Sequence, residues 1–144
     1  MSAQPAEHAP QLVVQKYGGS SVGDASRIPR VAQRIARTRE TGADVVCVVS
    51  SMGDTTDELL QLAAAITPDP NPRELDMLLA TGEHQSATLV SMALHALGVK
   101  AISLTGAQAG ITTDASHGRA RIANVEPRRP KPIATKNNNK DPKA

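Results

Sequence analysis

The sequence predicts a layered α/β fold with a mainly parallel sheet, and three observations carry that expectation. Short apolar runs rich in β-branched residues alternate with longer segments whose apolar residues recur at three- and four-residue spacing. The run "DVVCVV" is continuously apolar, as in a strand covered on both faces. The order strand, helix, strand, helices, strand calls for parallel pairing through right-handed crossovers.

The elements follow in chain order. "QLVVQKY" is a first strand, ended by Gly18 and Gly19. Asp24 is expected to cap a helix whose Ile28, Val31, Ala32, Ile35 and Ala36 form one apolar face. Pro29 falls in its first turn, where a missing N–H is tolerated, and Gly42 stops it. "DVVCVVSS" is the second strand, and the loop "SMGDTTD" leads into a helix "TDELLQLAAAI" that breaks at "TPDPNP". "RELDMLLATGE" reads as a further short helix and "EHQSATLVSMALHALG" as a longer one closed by Gly98. "VKAISLTG" is a third strand candidate, and "ARIANVE" a weaker fourth.

Composition narrows the function. At 144 residues the chain is one domain's worth, long enough for a core yet short for an α/β enzyme holding two substrates. Tyr17 is the one aromatic residue, so Val, Ile, Leu, Ala and Met must build the core. The same shortage argues against single-stranded nucleic acid, which is held by aromatic stacking. Cys47 stands alone inside "VVCVV" and reads as a buried structural thiol in a reducing cytoplasm. No apolar run approaches the ~18 residues of a membrane helix, and "MSAQPAEHAPQ" is not built like a signal peptide. Residues 128–144 hold six Lys or Arg and one Asp, a charge of +5, so a total of +2 leaves the body at −3. With no periodic apolar residues, segment 129–144 is expected to be a disordered basic tail, and 1–10 a disordered N-terminus.

Ligands of such folds gather beyond the carboxyl ends of the strands. Three segments are expected there: "KYGGSS", "SSMGDTT" and "LTGAQAG", all rich in Gly, Ser and Thr. Glycines let backbone N–H groups approach anionic oxygens, hydroxyls add donors, and Lys16 supplies charge. Neither G-x-x-x-x-G-K-[ST] nor G-x-G-x-x-G is present, so Gly18-Gly19 taken alone favours a strand-to-helix turn, and three such loops at one edge bring the phosphate-cradle reading level with it. The histidines show no metal-ligand spacing with one another or with Cys47. Asp54, Asp57 and Glu58, where a loop enters a helix, read as cap and first-turn carboxylates.

"VVQKYGGSSVGDASRI", "VVSSMGDTTDELL", "ELDMLLATGEHQSATLVSMAL" and "ISLTGAQAGITTDASHGRARI", in this order and spacing, resemble the opening half of an aspartate kinase of the amino-acid kinase family. The resemblance covers residues 11–128, and "MGDTTDELL" with "ATGE" is its specific part. It implies a three-layer αβα sandwich with a mainly parallel sheet, truncated here. It also implies phosphoryl transfer from MgATP to the side-chain carboxylate of L-aspartate. The product, 4-phospho-L-aspartate, feeds synthesis of lysine, threonine and methionine.

The resemblance assigns roles by position. Lys16 matches the lysine of K-[FY]-G-G-[ST]-S, implying contact with the phosphates and charge stabilisation on the moving phosphoryl group. Tyr17, Gly18, Gly19 and Ser20 complete that nucleotide-binding motif. Ser50 and Thr56 match positions that hold aspartate or shape its pocket, Ser50 also bordering the nucleotide. Glu83 matches the carboxylate that pairs with the substrate's α-ammonium, and His117 lies in a loop near that pocket. His84 departs from the residues usual after Gly-Glu.

Family members continue into "GFQG", "GRGGSD" and D-x-D-G-[VI]-Y-[TS]-x-D-P-R segments that bind nucleotide, and none of these occurs here. Two expectations therefore stand. One is an aspartate kinase sequence as a partial chain, inactive by itself. The other is a non-catalytic remnant that binds aspartate weakly or associates with a full-length kinase subunit. Homo-oligomerisation stays open.

Overall fold

The computed structural model describes residues 11–126. The expectations for 1–10 and 129–144 lie outside them.

Strand β1 (Leu12–Tyr17) is joined by helix α1 (Ile28–Glu40) to β2 (Asp44–Val49), and the two strands pair parallel from Leu12↔Asp44 to Tyr17↔Val49. Helices α2 (Thr55–Ile66) and α3 (Pro72–Ala96) follow, then β3 (Ile111–Thr113) and β4 (Ile122–Val125). Mixed α/β architecture with a parallel sheet is thus as expected.

Alternation along the strands decides which side is covered. Val13, Gln15 and Tyr17 of β1 and Val45, Cys47 and Val49 of β2 point to the helices. There Tyr17, Ile28, Val31, Ala32, Ile35, Val90 and Leu94 form the core, with α1 packed on α3. Leu12 and Val14 (64% exposed each) and Val46 and Val48 (48% each) face the other way. The described residues therefore cover one face of the sheet, and the both-sides burial expected of "DVVCVV" is absent.

Four further readings are corrected. Asp24 does not cap α1, which starts at Ile28 after Arg27 with no side-chain cap. Its carboxylate instead closes a short turn, accepting from the backbone N–H (2.8 Å) and the hydroxyl of Ser26. The two helices expected on either side of "TGE" are one 25-residue helix, α3, opened by Asn71, whose side chain accepts from the N–H groups of Arg73 and Glu74. Glycine costs a helix about 1 kcal/mol, which tertiary packing overrides here. "VKAISLTG" forms no strand, because a strand exists through pairing and the ladder of β2 runs with β1. Val99 and Ala101 of that segment pack against the core without it. Finally, "ARIANVE" supplies β4, which pairs antiparallel with β3 in a separate hairpin rather than joining the parallel sheet.

Candidate active site

Two of the three predicted loops meet, and α3 closes on them. The Ser50 N–H donates to the Tyr17 carbonyl (3.1 Å), carrying the sheet pairing one step past both strand ends. Beyond it the loop after β1 turns on the Gly18 carbonyl, which accepts from the N–H groups of Ser21 (2.9 Å) and Val22 (3.3 Å). Arg27 donates to the Ser20 carbonyl (2.6 Å) and pairs with Asp24, tying the loop to the start of α1.

Glycines set the loop spacings. A Cβ on Gly19 would stand 3.3 Å from the Ser51 carbonyl oxygen, and one on Gly53 only 2.7 Å from that of Gly23. Gly53 also sits at φ +40°, where a side chain is strained. On α3, a Cβ on the buried Gly82 would meet Ser51 Cβ at 3.0 Å and Thr55 Cγ2 at 3.3 Å. The loops after β1 and β2 are thus in backbone contact range, and the middle of α3 packs closely on Ser51 and Thr55, which small residues permit.

Each predicted residue has a place in this junction. Lys16 is exposed at the end of β1, with its ammonium 3.4 Å from the point a Cβ on Gly18 would occupy. Gly18, Gly19 and Ser20 form the adjoining turn, and Tyr17 is buried beneath it with its hydroxyl donating to Gln15 (2.9 Å). Burial, and secondarily Cys47, raises the Tyr17 pKa, while the nearby Arg34 lowers it in part. Ser50 is half-buried at the loop junction. Thr56 shares a 2.8 Å hydrogen bond with Ser51, a residue that the sequence reading passed over. Its signal was only that a second serine after β2 falls on the inward side; Ser51 is 6% exposed. Glu83 is half-buried on α3 directly after Gly82. Neither Lys16 nor Glu83 has a hydrogen-bond or ion-pair partner for its side chain among the described residues, which leaves one ammonium and one carboxylate for a ligand.

The third loop stands apart. Its hydrogen bonds are internal, as from Gln108 N–H to Thr105 Oγ1 (3.1 Å), or lead to Glu126. The 114–118 segment docks on α3 through Asp76, which accepts from Gly118 N–H (2.8 Å) and faces His117 Nδ1 at 3.5 Å. Asp76 lies about two helical turns before Glu83. Cys47 points into the core, and burial pushes its thiol up to about 11, as befits a structural rather than a nucleophilic cysteine. No three or more His, Cys, Asp or Glu side chains cluster in metal-binding geometry among the described residues.

A strand-end lysine, a Gly-Gly turn and a helix-borne glutamate thus stand on elements joined by close glycine contacts beyond the ends of the parallel strands. Residues 11–140 match the amino acid kinase family, and the chain belongs to it. It is 60% identical over 118 residues to the aspartokinase of Mycolicibacterium smegmatis and 59% to that of Corynebacterium glutamicum, covering 82% of this chain and 28% of each relative. An aspartate kinase from Synechocystis superposes with a TM-score of 0.66 at 57% identity, over 69% of this chain and 17% of that one. The chain thus spans little more than a quarter of the length of the curated relatives it matches. The family match runs to residue 140, beyond the described residues.

Proposed function

We propose that residues 11–126 carry the acceptor and phosphate-cradle side of an aspartate kinase, which moves the γ-phosphoryl of MgATP onto the side-chain carboxylate of L-aspartate. The observation that carries the reading is the chain of close contacts from the loop after β1, through the loop after β2, to α3, with Lys16 on the strand at one end and Glu83 on the helix at the other. In this reading the backbone of Gly18 and Gly19 and the Ser20 hydroxyl receive the phosphates. Neither Gly18 nor Gly19 carries a Cβ that would hold an anion away from the backbone N–H groups.

The reaction is a substitution at phosphorus. A carboxylate oxygen of aspartate bonds to the γ-phosphorus, the bond to the bridging oxygen breaks, and ADP leaves with that electron pair. Little covalent help is needed, so placement and charge neutralisation dominate. In this reading Lys16 offsets charge on the transferring group. Glu83 would hold the substrate's α-ammonium, which separates an amino acid from a plain diacid, with Ser50 and Thr56 shaping the acceptor pocket. Magnesium would offset phosphate charge as part of the nucleotide complex, and no cluster of three or more His, Cys, Asp or Glu side chains among the described residues could hold it alone. Placement in the cytoplasm, at the first step toward lysine, threonine and methionine, belongs to the same reading.

A chimera in which residues 11–126 replace the matching segment of the Corynebacterium glutamicum relative tests this. Lys16→Ala should cut turnover by several powers of ten with a much smaller effect on aspartate binding. Glu83→Ala should chiefly raise the KM for aspartate, by roughly thirtyfold or about 2 kcal/mol, because its ion pair exists in ground and transition states alike. Near-normal turnover in Lys16→Ala would refute the cradle. The 144-residue chain by itself should form no acyl phosphate trappable with hydroxylamine.

A further inference from the structure

Helix α1 is rich in arginine, and its arginines differ in how their charge is met. Arg39 pairs with Asp44, as Arg27 just before the helix does with Asp24, whereas Arg30 and Arg34 have no carboxylate partner among the described residues. These two stand one turn apart and line the same open cavity of about 500 Å³ between α1 and the outer edge of β1. Lys16, Tyr17 and Ser21 also line it, and no acidic residue does.

Like charges one turn apart on a helix repel, so the pair is weakly destabilising until a counter-charge is present. Two guanidinium forks with a hydroxyl at the rim suit the several oxygens and the double charge of a phosphate better than a single carboxylate. The Val31 and Tyr17 wall lowers the local dielectric and strengthens that field. Arg34 is exposed, so its guanidinium lines the cavity from the solvent side.

We propose that Arg30, Arg34 and Ser21 form a phosphate-binding site beside the Gly18-Gly19 turn, taking free phosphate or the terminal phosphate of a phosphorylated small molecule. The site shares Lys16 with the nucleotide cradle proposed above but stands or falls on the arginines.

The test titrates the isotope-labelled 144-residue chain with sodium phosphate at constant ionic strength, following the Ser21 amide and the Arg30 and Arg34 Nε–H resonances. Saturating shifts centred on these groups are expected. Replacing both exposed arginines, Arg30→Gln with Arg34→Gln, should weaken binding roughly tenfold or more. Arg37→Gln, on the same helix but outside the cavity, should change it by less than about twofold. Shifts that never saturate, or equal losses in Arg37→Gln and the double variant, would show diffuse charge attraction and overturn the proposal. A parallel titration with ADP separates the sources: competition with phosphate at Arg34 identifies a nucleotide phosphate, and independent binding a free one. Phosphate binding lost in Lys16→Ala but intact in the double variant would also overturn it, while leaving the kinase reading untouched. Loss in the double variant, with ADP shifts at Gly18 and Gly19 preserved, would establish two separate sites.

Discussion

Gly53 and Gly23 face each other across the junction of the two loops, and a Cβ on Gly53 would lie 2.7 Å from the Gly23 carbonyl oxygen. Backbone cannot swing aside as a flexible side chain can, and Gly53 is also in the left-handed region at φ +40°. Gly53→Ala should therefore lower stability by about 2–4 kcal/mol, more than left-handed strain alone would cost. It should also disturb the loop after β1 at residues 19–23. Urea melts with amide shift maps would check this, and shifts confined to the loop after β2 would contradict the contact.

Gly82 offers a reciprocal experiment. An alanine there gains up to about 1 kcal/mol of helix propensity but puts its methyl 3.0 Å from Ser51 Cβ. The contact should win, giving a net loss of about 1–3 kcal/mol, because Ser51 is buried and bonded to Thr56. Removing the opposing Cβ with Ser51→Gly should restore part of that loss in the double variant. Strict additivity of the two substitutions in thermal melts would count against the packing argument.

How much could be read from sequence depended on whether the deciding interaction was local. The face of α1 was legible, since Ile28, Val31, Ala32, Ile35 and Ala36 recur at helical spacing and all five are buried. Gly42 ends that helix for the local reason that only glycine is at ease at φ +86°. Asp24 misled because a cap and an Asx turn look alike in sequence; only the backbone of residues 25–27 separates them. At Gly82 the glycine reads as an interruption, yet its reason is contact with Ser51 from another element. "VKAISLTG" has strand composition without a pairing partner among the described residues, and pairing is not written in composition. The turn at Gly18-Gly19 after β1 was legible because it is set by the residues themselves. The support that Ser51 gives Thr56 was not, because it arises from one step of alternation at the end of β2.

Cys47 should be slow to alkylate. Burial raises its thiol from 9.0 to about 11, so the fold favours the neutral form. The associated stabilisation is whole below the unfolded value and is lost as pH rises from about 9 to about 11. Iodoacetamide labelling in the native chain should have its midpoint near the upper value and return to the lower one in urea. A native midpoint near 9 would mean that the thiol faces solvent.

The loop at Asp114 should respond to acid instead. Its carboxylate accepts from the backbone N–H groups of Ser116 (3.0 Å) and Arg121 (3.2 Å), which hold it below the ordinary value of 3.8. A lowered carboxyl pKa adds stability above the unfolded value and loses it as pH falls through the folded one. The Ser116 and Arg121 amide shifts should thus move together on acidification below about pH 4. In Asp114→Asn the amide oxygen still accepts but cannot titrate, so the transition should vanish while the turn remains. Its persistence would assign the change to another group.

The last expectation concerns the uncovered side of the sheet. Val14 and Val46 pair across the two strands, and with Leu12 and Val48 they present a contiguous apolar strip beside a β1 edge that has no pairing strand among the described residues. Strips of this kind recruit other chains, by edge pairing or by face-to-face burial. The 144-residue chain should consequently bind anilinonaphthalene sulfonate and sediment as a concentration-dependent mixture. Replacing both residues, Val14→Thr with Val46→Thr, keeps β-branching and strand propensity while adding a hydroxyl at each position. The double variant should lose most of the dye signal and shift toward the monomer, with the helical circular dichroism of α1, α2 and α3 unchanged. A wild-type chain that stays monomeric at every concentration, binds no dye and melts in one sharp transition would show that the strip is covered in solution.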